Sequence, residues 1–119
     1  MKHLLSVEQS ATLIAKGISA DKASERTLDF CDIITPLERR EILPIFTLAD
    51  LVSLLPKHIP FANAEWYLNI QWDISWGKWY VQYLDFDHDD KMVKEEEATE
   101  LIDALYLLTL AVINHVKLG

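Results

Sequence analysis

The chain is short of cysteine, glycine and proline. Its 119 residues include one cysteine, Cys31, three glycines and four prolines. A single cysteine excludes a disulfide within the chain, and this fits a reducing compartment best. No repeat, low-complexity segment or Gly/Ser linker interrupts the sequence, so we expect one domain spanning residues 1–119.

Several catalytic motifs are absent as well. The sequence contains no G-x-G-x-x-G, no G-x-x-x-x-G-K-[ST] and no G-x-S-x-G. Classical dinucleotide binding, P-loop chemistry and a serine triad therefore have no support. The four histidines are scattered, and neither H-E-x-x-H nor C-x-x-C occurs. We predict that the protein is not an enzyme and uses no cofactor.

Basic residues are outnumbered. Lys and Arg total 11 against 19 Asp and Glu, which gives a net charge of −8. Binding to a phosphate backbone needs clustered cations, so we expect no direct contact with a nucleic-acid backbone. An acidic chain can attract a basic partner, but moderate acidity also serves simply to keep a protein in solution.

Long hydrophobic runs are lacking too. The longest largely apolar stretch, residues 104–113, is interrupted by Thr109 and has about half the length of a bilayer span. The first residues carry one basic side chain and too short an apolar run for a signal peptide. We expect a cytoplasmic protein that does not contact a membrane.

The first half of the chain contains clear helix signals. Ser6–Gln9 has the capping-box pattern, which predicts a helix over residues 7–16. Gly17 supplies the left-handed residue that ends it. A second helix is predicted over residues 48–55, where apolar residues share one face and Pro56 follows.

The middle of the chain changes to a period of two residues. Residues 66–72 alternate between apolar and polar types, and residues 79–85 are rich in aromatic and β-branched types. The short connection, with Gly77 at a positive-φ position, predicts an antiparallel hairpin. Because two strands alone are marginal, we expect a third, either Ile42–Phe46 or Phe30–Ile34.

The last third predicts a long helix, from about Lys94 to Val116. Neither glycine nor proline interrupts it, and Glu95–Glu97 lie in its first turn, where the helix dipole favours acids. Its apolar side is wide, so it must be covered either by two layers of the same chain or by another subunit. The fold class is α+β: a small antiparallel sheet packs against this helix and the shorter N-terminal helices.

An acidic run, residues 85–90, resembles a metal loop. With Asp85 as position 1 of a calcium-binding EF-hand loop, Asp87 and Asp89 take positions 3 and 5, and Glu96 takes position 12. Asp90 stands where that loop requires glycine, and a strand precedes it instead of a helix. The alternative is a polar turn between the second hairpin strand and the last helix. Paired acid–base catalysis needs a cleft that the sequence does not indicate.

All four tryptophans lie between residues 66 and 79. Trp66 and Trp72, with Leu68 and Ile70 between them, are predicted on the buried face of the hairpin. Trp76 falls in its turn, where a large aromatic side chain is exposed unless something covers it. It either packs against a neighbouring loop or anchors a partner, since tryptophan dominates binding hot spots.

Two segments, Phe46–Lys57 and Ala98–Tyr106, flank a strand pair with the pattern W-x-L-x-I and W-x-V-x-Y, here Trp66–Ile70 and Trp79–Tyr83. Their order resembles small uncharacterised proteins encoded in prophages and other mobile elements of gut bacteria. The resemblance covers roughly the C-terminal two-thirds of the chain. It implies a phage-like context and no known activity.

Three functions follow as hypotheses. The leading one is a non-enzymatic protein-interaction module of phage-like origin, which includes a homodimer formed through the C-terminal helix. The second is an acidic inhibitor or decoy of a basic nucleic-acid-binding protein. The third is a metal-binding protein that uses the acidic segment at 85–96.

Overall fold

The computed structural model describes residues 1–30, 40–60, 64–88 and 91–113, with the backbone alone for residues 27–30, 40–42, 87 and 91. These ranges contain three α-helices and six β-strands. The helices are α1 (Val7–Ala15), α2 (Leu48–Leu54) and α3 (Leu101–Val112); the strands are β1 (Glu25–Phe30), β2 (Arg40–Ile45), β3 (His58–Pro60), β4 (Glu65–Asp73), β5 (Lys78–Asp85) and β6 (Lys91–Ala98).

The strands form two antiparallel sheets. β1 and β2 pair with each other, whereas the other four strands form a sheet in the order β3-β4-β5-β6. α3 packs on one face of this larger sheet, against β5 and β6, and α2 packs against α3. The predicted α+β class is therefore confirmed.

Local capping signals set the first two helices. At the start of α1 the Ser6 hydroxyl accepts a hydrogen bond from the amide of Gln9, and the Gln9 Oε1 accepts one from the amide of Ser6. Gly17 follows the helix with φ 111°, as predicted. Thr47 and Asp50 repeat the capping box at α2, so both helices begin where their sequence patterns place them.

The predicted hairpin is confirmed as β4 and β5. Their register pairs Trp66 with Asp85 at one end and Asp73 with Lys78 at the other. Gly77 has φ 62°, which a residue with a Cβ adopts only with strain. The turn residues Ile74–Gly77 therefore take a defined conformation.

The predicted long helix is wrong in its first third. Residues 91–98 form β6, which pairs with β5, and the helix begins only at Leu101. Glutamates favour helices locally, but pairing with a neighbouring strand overrides that preference. A bulge at Val93 interrupts the pairing, since Tyr83 lies opposite Lys94 and Leu84 opposite Met92.

The predicted third strand is also corrected. β3 and β6, not Ile42–Phe46, flank the hairpin. Most of Ile42–Phe46 does form a strand, but it belongs to β2 and pairs with β1. The alternative candidate, Phe30–Ile34, lies largely outside the described residues.

The core lies between the larger sheet and the helices. α3 supplies a continuous buried side, and Val81 and Tyr83 of β5 face it. Two layers of the same chain thus cover α3: the sheet on one side and α2 on another. Among the described residues of α3, Leu107 is the large apolar side chain that stays exposed. No helix in the described part of the chain is long and apolar enough to cross a bilayer.

Candidate interaction surface

The helical layer covers only part of β4. Trp66 and Leu68 pack against the core as predicted, but Ile70 and Trp72 are 38% and 46% exposed, so their predicted burial is wrong. Ala98, opposite Trp79, ends β6, and α3 then starts at Leu101. α3 runs back toward Trp66, which lines a cavity with its last turn. The end of the hairpin therefore extends beyond the helices.

Four large apolar side chains are exposed at this end of the hairpin. We call it the hairpin end and define it as Ile70, Trp72, Ile74 and Trp76. The ring of Trp72 contacts that of its cross-strand partner Trp79, with centroids 5.2 Å apart and planes tilted by 55°. Such tilted pairs are favourable beyond the area they bury, so this contact fixes the Trp72 ring.

The turn that carries Trp76 is held by its own polar groups. The Asp73 carboxylate accepts hydrogen bonds from the amides of Ser75 and Trp76, at 2.8 and 3.2 Å. The amide of Gly77 donates to the carbonyl oxygen of Asp73 at 2.9 Å. Ile74 and Trp76 are 87% and 73% exposed. An ordered turn thus presents two large apolar side chains to solvent.

Charged side chains lie beside this surface on the outer face of the sheet, the face opposite the helices. The Lys78 ammonium lies 3.4 Å from the Glu97 carboxylate. Desolvation, and then the hydrogen bond and negative charge of Glu97, raise the pKa of Tyr80 above its usual value. Glu95 accepts a 2.6 Å hydrogen bond from Gln82. The outer face therefore has an acidic border at β6.

Sequence reasoning misses this border because it places Glu95–Glu97 in a helix. A helical position gives no reason for Glu95 to meet Gln82, which is 13 residues away. The partner of each glutamate follows only from the β5–β6 register, which depends on contacts distant in sequence. Polar residues alternate with apolar ones along β5. This pattern indicates an outer face whose polar side chains need hydrogen-bond partners on a neighbouring strand.

The acidic run lies between β5 and β6, not before a helix. Asp85 is buried, and its Oδ2 lies 2.8 Å from Nδ1 of His88. Asp85 pairs with Lys91, whereas Glu96 pairs with Val81. Five residues of strand separate Lys91 from Glu96, roughly 15 Å. The structure therefore does not bring Asp85 and Glu96 together around one ion.

The other two members of the predicted metal set lie outside what is described: Asp89, and the side chain of Asp87. Within the described side chains, no group of three or more His, Cys, Asp or Glu residues is arranged to hold a metal ion. Metal binding by the complete set of Asp85, Asp87, Asp89 and Glu96 stays a prediction. The interaction role of Trp76 likewise stays a prediction, although its exposure is observed.

Comparison with known proteins identifies no relative. No protein-family model matches the chain, and neither a curated protein nor a solved structure does so. The resemblance to proteins of prophages and mobile elements therefore stays a prediction.

Proposed function

We propose that this protein is a non-enzymatic interaction module that inserts its hairpin end into an apolar groove of a partner protein. The observation that carries the proposal is the exposure of Trp76 and Ile74 on a turn that Asp73 holds in place. Large apolar side chains that project from an ordered turn cost solvation free energy in the isolated protein. That cost is recovered when a partner covers them.

The size of the hairpin end favours a concave partner. Two tryptophans and two isoleucines expose only a few hundred Å², whereas a stable interface buries about 800 Å² on each side. Two flat copies of this surface would therefore bury too little area to form a stable dimer. A groove that surrounds Trp76 adds contacts with the sides of the hairpin and reaches the required area.

The charges around the hairpin end indicate which charge the rim of the partner's groove should carry. Asp73 precedes the turn, Glu97 of β6 lies beside it with Lys78 as its partner, and the chain has a net charge of −8. A basic rim would complement these carboxylates and accelerate the encounter. The same charges disfavour an anionic membrane surface, which repels an acidic protein.

A homodimer through α3 has less support. The sheet and α2 cover that helix, and Leu107 is its one exposed large apolar side chain among the described residues. The phage-like origin and the cytoplasmic location, the latter inferred from the single cysteine, remain parts of the proposal. The genes that adjoin this one would test the origin directly.

Site-specific photo-crosslinking in the native host tests the proposal. A benzoylphenylalanine residue replaces Trp76 in one variant and Leu107 in a matched control, since both positions expose an apolar side chain. We expect one protein to crosslink at position 76 and not at 107. The purified partner should then bind with about 30-fold lower affinity to Trp76→Ala, as for a hot-spot tryptophan, and with unchanged affinity to Leu107→Ala.

Three results would contradict the proposal, two of them from the crosslinking and binding measurements. One is equal crosslinking at the two positions. The other is an affinity for the purified partner that the double variant Ile74→Ser, Trp76→Ala leaves intact. If light scattering instead shows a dimer of the isolated protein that Trp76→Ala dissociates, the occupant is a second copy and the proposed partner is wrong.

A further inference from the structure

A cleft lies on the outer face of the larger sheet, at the opposite end of β4 from the turn. Its volume is about 430 Å³, and its described lining consists of His58, Glu65, Tyr67 and Phe86. This volume falls within the range of small-molecule sites. The nine residues of β4 place the cleft roughly 26 Å from the turn, on the other face of the sheet. The cleft is thus separate from the hairpin end.

The strand register explains how the lining residues meet. Glu65 and Tyr67 alternate with Trp66, which packs against the core, so they lie on the outer face. Tyr67 is paired with His58 of β3. Phe86 directly follows Asp85, the β5 partner of Trp66, and so comes beside Glu65. Two aromatic side chains and a carboxylate therefore converge from β4 and the segment after β5, and β3 adds His58.

The chemistry of this lining is selective for charge. Aromatic faces attract cations through their quadrupole, most strongly organic ammonium ions that shed water easily. The Glu65 carboxylate adds a full negative charge at the cleft. Nε2 of His58 lies 3.7 Å from this carboxylate, which is longer than a hydrogen bond. The net charge of −8 raises the local concentration of cations further.

We propose that this cleft binds a small methylated ammonium ion, with its cationic head between Tyr67 and Phe86 and its charge facing Glu65. A methylated head is favoured over a bare ammonium because methyl groups fill apolar space that a hydrated ion leaves empty. Phe86 is 65% exposed in the free protein, which is unfavourable for a phenyl ring. A bound ligand of this kind would cover the ring. This site goes beyond the proposed interaction function and does not depend on it.

Choline and its neutral isostere 3,3-dimethylbutan-1-ol test the proposal. The two have the same shape, but a carbon replaces the charged nitrogen in the isostere. Titrations followed by ¹H–¹⁵N spectra should show saturable shifts at Glu65, Tyr67 and Phe86 with choline. The isostere should bind at least about fivefold more weakly, which is the size of a partly desolvated cation–π contact. The Trp76→Ala variant should bind choline normally.

Substitutions in the cleft show which side chains contribute to choline binding. Phe86→Leu keeps an apolar side chain without an aromatic face and should weaken choline binding about fivefold. Glu65→Gln should weaken it by a similar factor, whereas the control Glu8→Gln removes the same charge from α1, which packs against β2, and should change little. The proposal is overturned if the isostere binds as tightly as choline. It is equally overturned if Glu8→Gln weakens binding as much as Glu65→Gln, or if no saturation appears at millimolar choline.

Discussion

The hydroxyl of Tyr83 donates a 2.7 Å hydrogen bond to the carbonyl oxygen of Pro56. Tyr83 is completely buried near the end of β5, and Pro56 follows the end of α2. The Tyr83 side chain thus connects the larger sheet to the segment that follows α2. Burial raises the pKa of Tyr83 well above its usual value of about 10.

Removal of this hydroxyl tests its contribution to stability. Tyr83→Phe keeps the ring but leaves the carbonyl oxygen of Pro56 without this donor, so we expect a loss of about 1–3 kcal/mol. Urea denaturation followed by tryptophan fluorescence measures it. Tyr80→Phe, on the outer face, is the matched control and should cost less. No loss for Tyr83→Phe would mean that the buried hydrogen bond adds nothing. A loss no larger than that of Tyr80→Phe, which removes a hydroxyl bonded to Glu97 on the exposed face, would mean that burial does not strengthen the bond.

The same residue predicts sensitivity to alkali. The folded-state pKa of Tyr83 is raised, so its contribution is fully present below the unfolded value of about 10 and is lost as pH rises above it. The free energy of unfolding should fall above pH 10 more steeply in the wild-type protein than in Tyr83→Phe. Parallel curves from urea denaturation between pH 8 and about pH 11 would contradict this.

Asp50 predicts the opposite behaviour in acid. Burial opposes its ionisation, but hydrogen bonds from Ser24 and Thr47 outweigh that effect and lower its pKa. Its contribution is therefore present above the unfolded pKa of about 3.9 and is lost as pH falls through the folded value. At pH 7, Asp50→Asn should cost about 1.5–3 kcal/mol.

Urea denaturation at pH 7 and at about pH 3 measures the Asp50 effect. The difference between wild type and Asp50→Asn should shrink at the lower pH. Asp21→Asn, at an exposed acid of the preceding turn, serves as the control and should show little difference at either pH. A difference for Asp50→Asn that is independent of pH would show that the lost interaction does not depend on the charge.

Two tryptophans of the hairpin should differ sharply in their effect on stability. Trp76→Ala removes an exposed side chain and should change the unfolding free energy by less than about 0.5 kcal/mol. Trp66→Ala removes a ring that packs on the core, with its centroid 6.5 Å from that of Tyr83, and should cost about 2–4 kcal/mol. A large loss of unfolding free energy for Trp76→Ala would show that this residue stabilises the fold, which would contradict a role in partner binding alone.

Gly77 allows the backbone strain of the turn to be measured alone. A Cβ at this position would meet no atom within 4 Å, so any cost of Gly77→Ala comes from φ +62°. We expect about 1 kcal/mol, and less for Gly77→Asn, because asparagine tolerates the left-handed region better. Thermal unfolding of the two variants gives the comparison. A larger loss for asparagine than for alanine would contradict the backbone explanation.

The sequence predicts elements that local signals define and fails where distant pairing decides. Capping residues such as Ser6 and Thr47 place α1 and α2, and Gly77 places the hairpin turn. Glu95–Glu97 mislead because their helix preference is local, whereas the pairing of β6 with β5 depends on the whole sheet. The start of the helix therefore shifts to Leu101.

The same distinction between local signals and distant pairing applies to the candidate sites. The exposure of Trp76 is predictable because a turn projects its side chains. The exposure of Trp72 is not, since it depends on where α3 begins to cover the sheet. The cleft is also not predictable, because His58 and Glu65 meet only through the pairing of β3 with β4.

The two borders of the larger sheet oppose polymerisation. On one side the described residues of β3, His58–Pro60, include Pro60, which cannot donate to a further strand. On the other side β6 combines the bulge at Val93 with the run Glu95–Glu97, so the borders of two molecules repel each other. These features disfavour pairing of this sheet with the same sheet of a second molecule near neutral pH. Acid that protonates those glutamates removes the charge barrier at β6 and leaves the bulge there, and Pro60 at the other border, to oppose strand pairing.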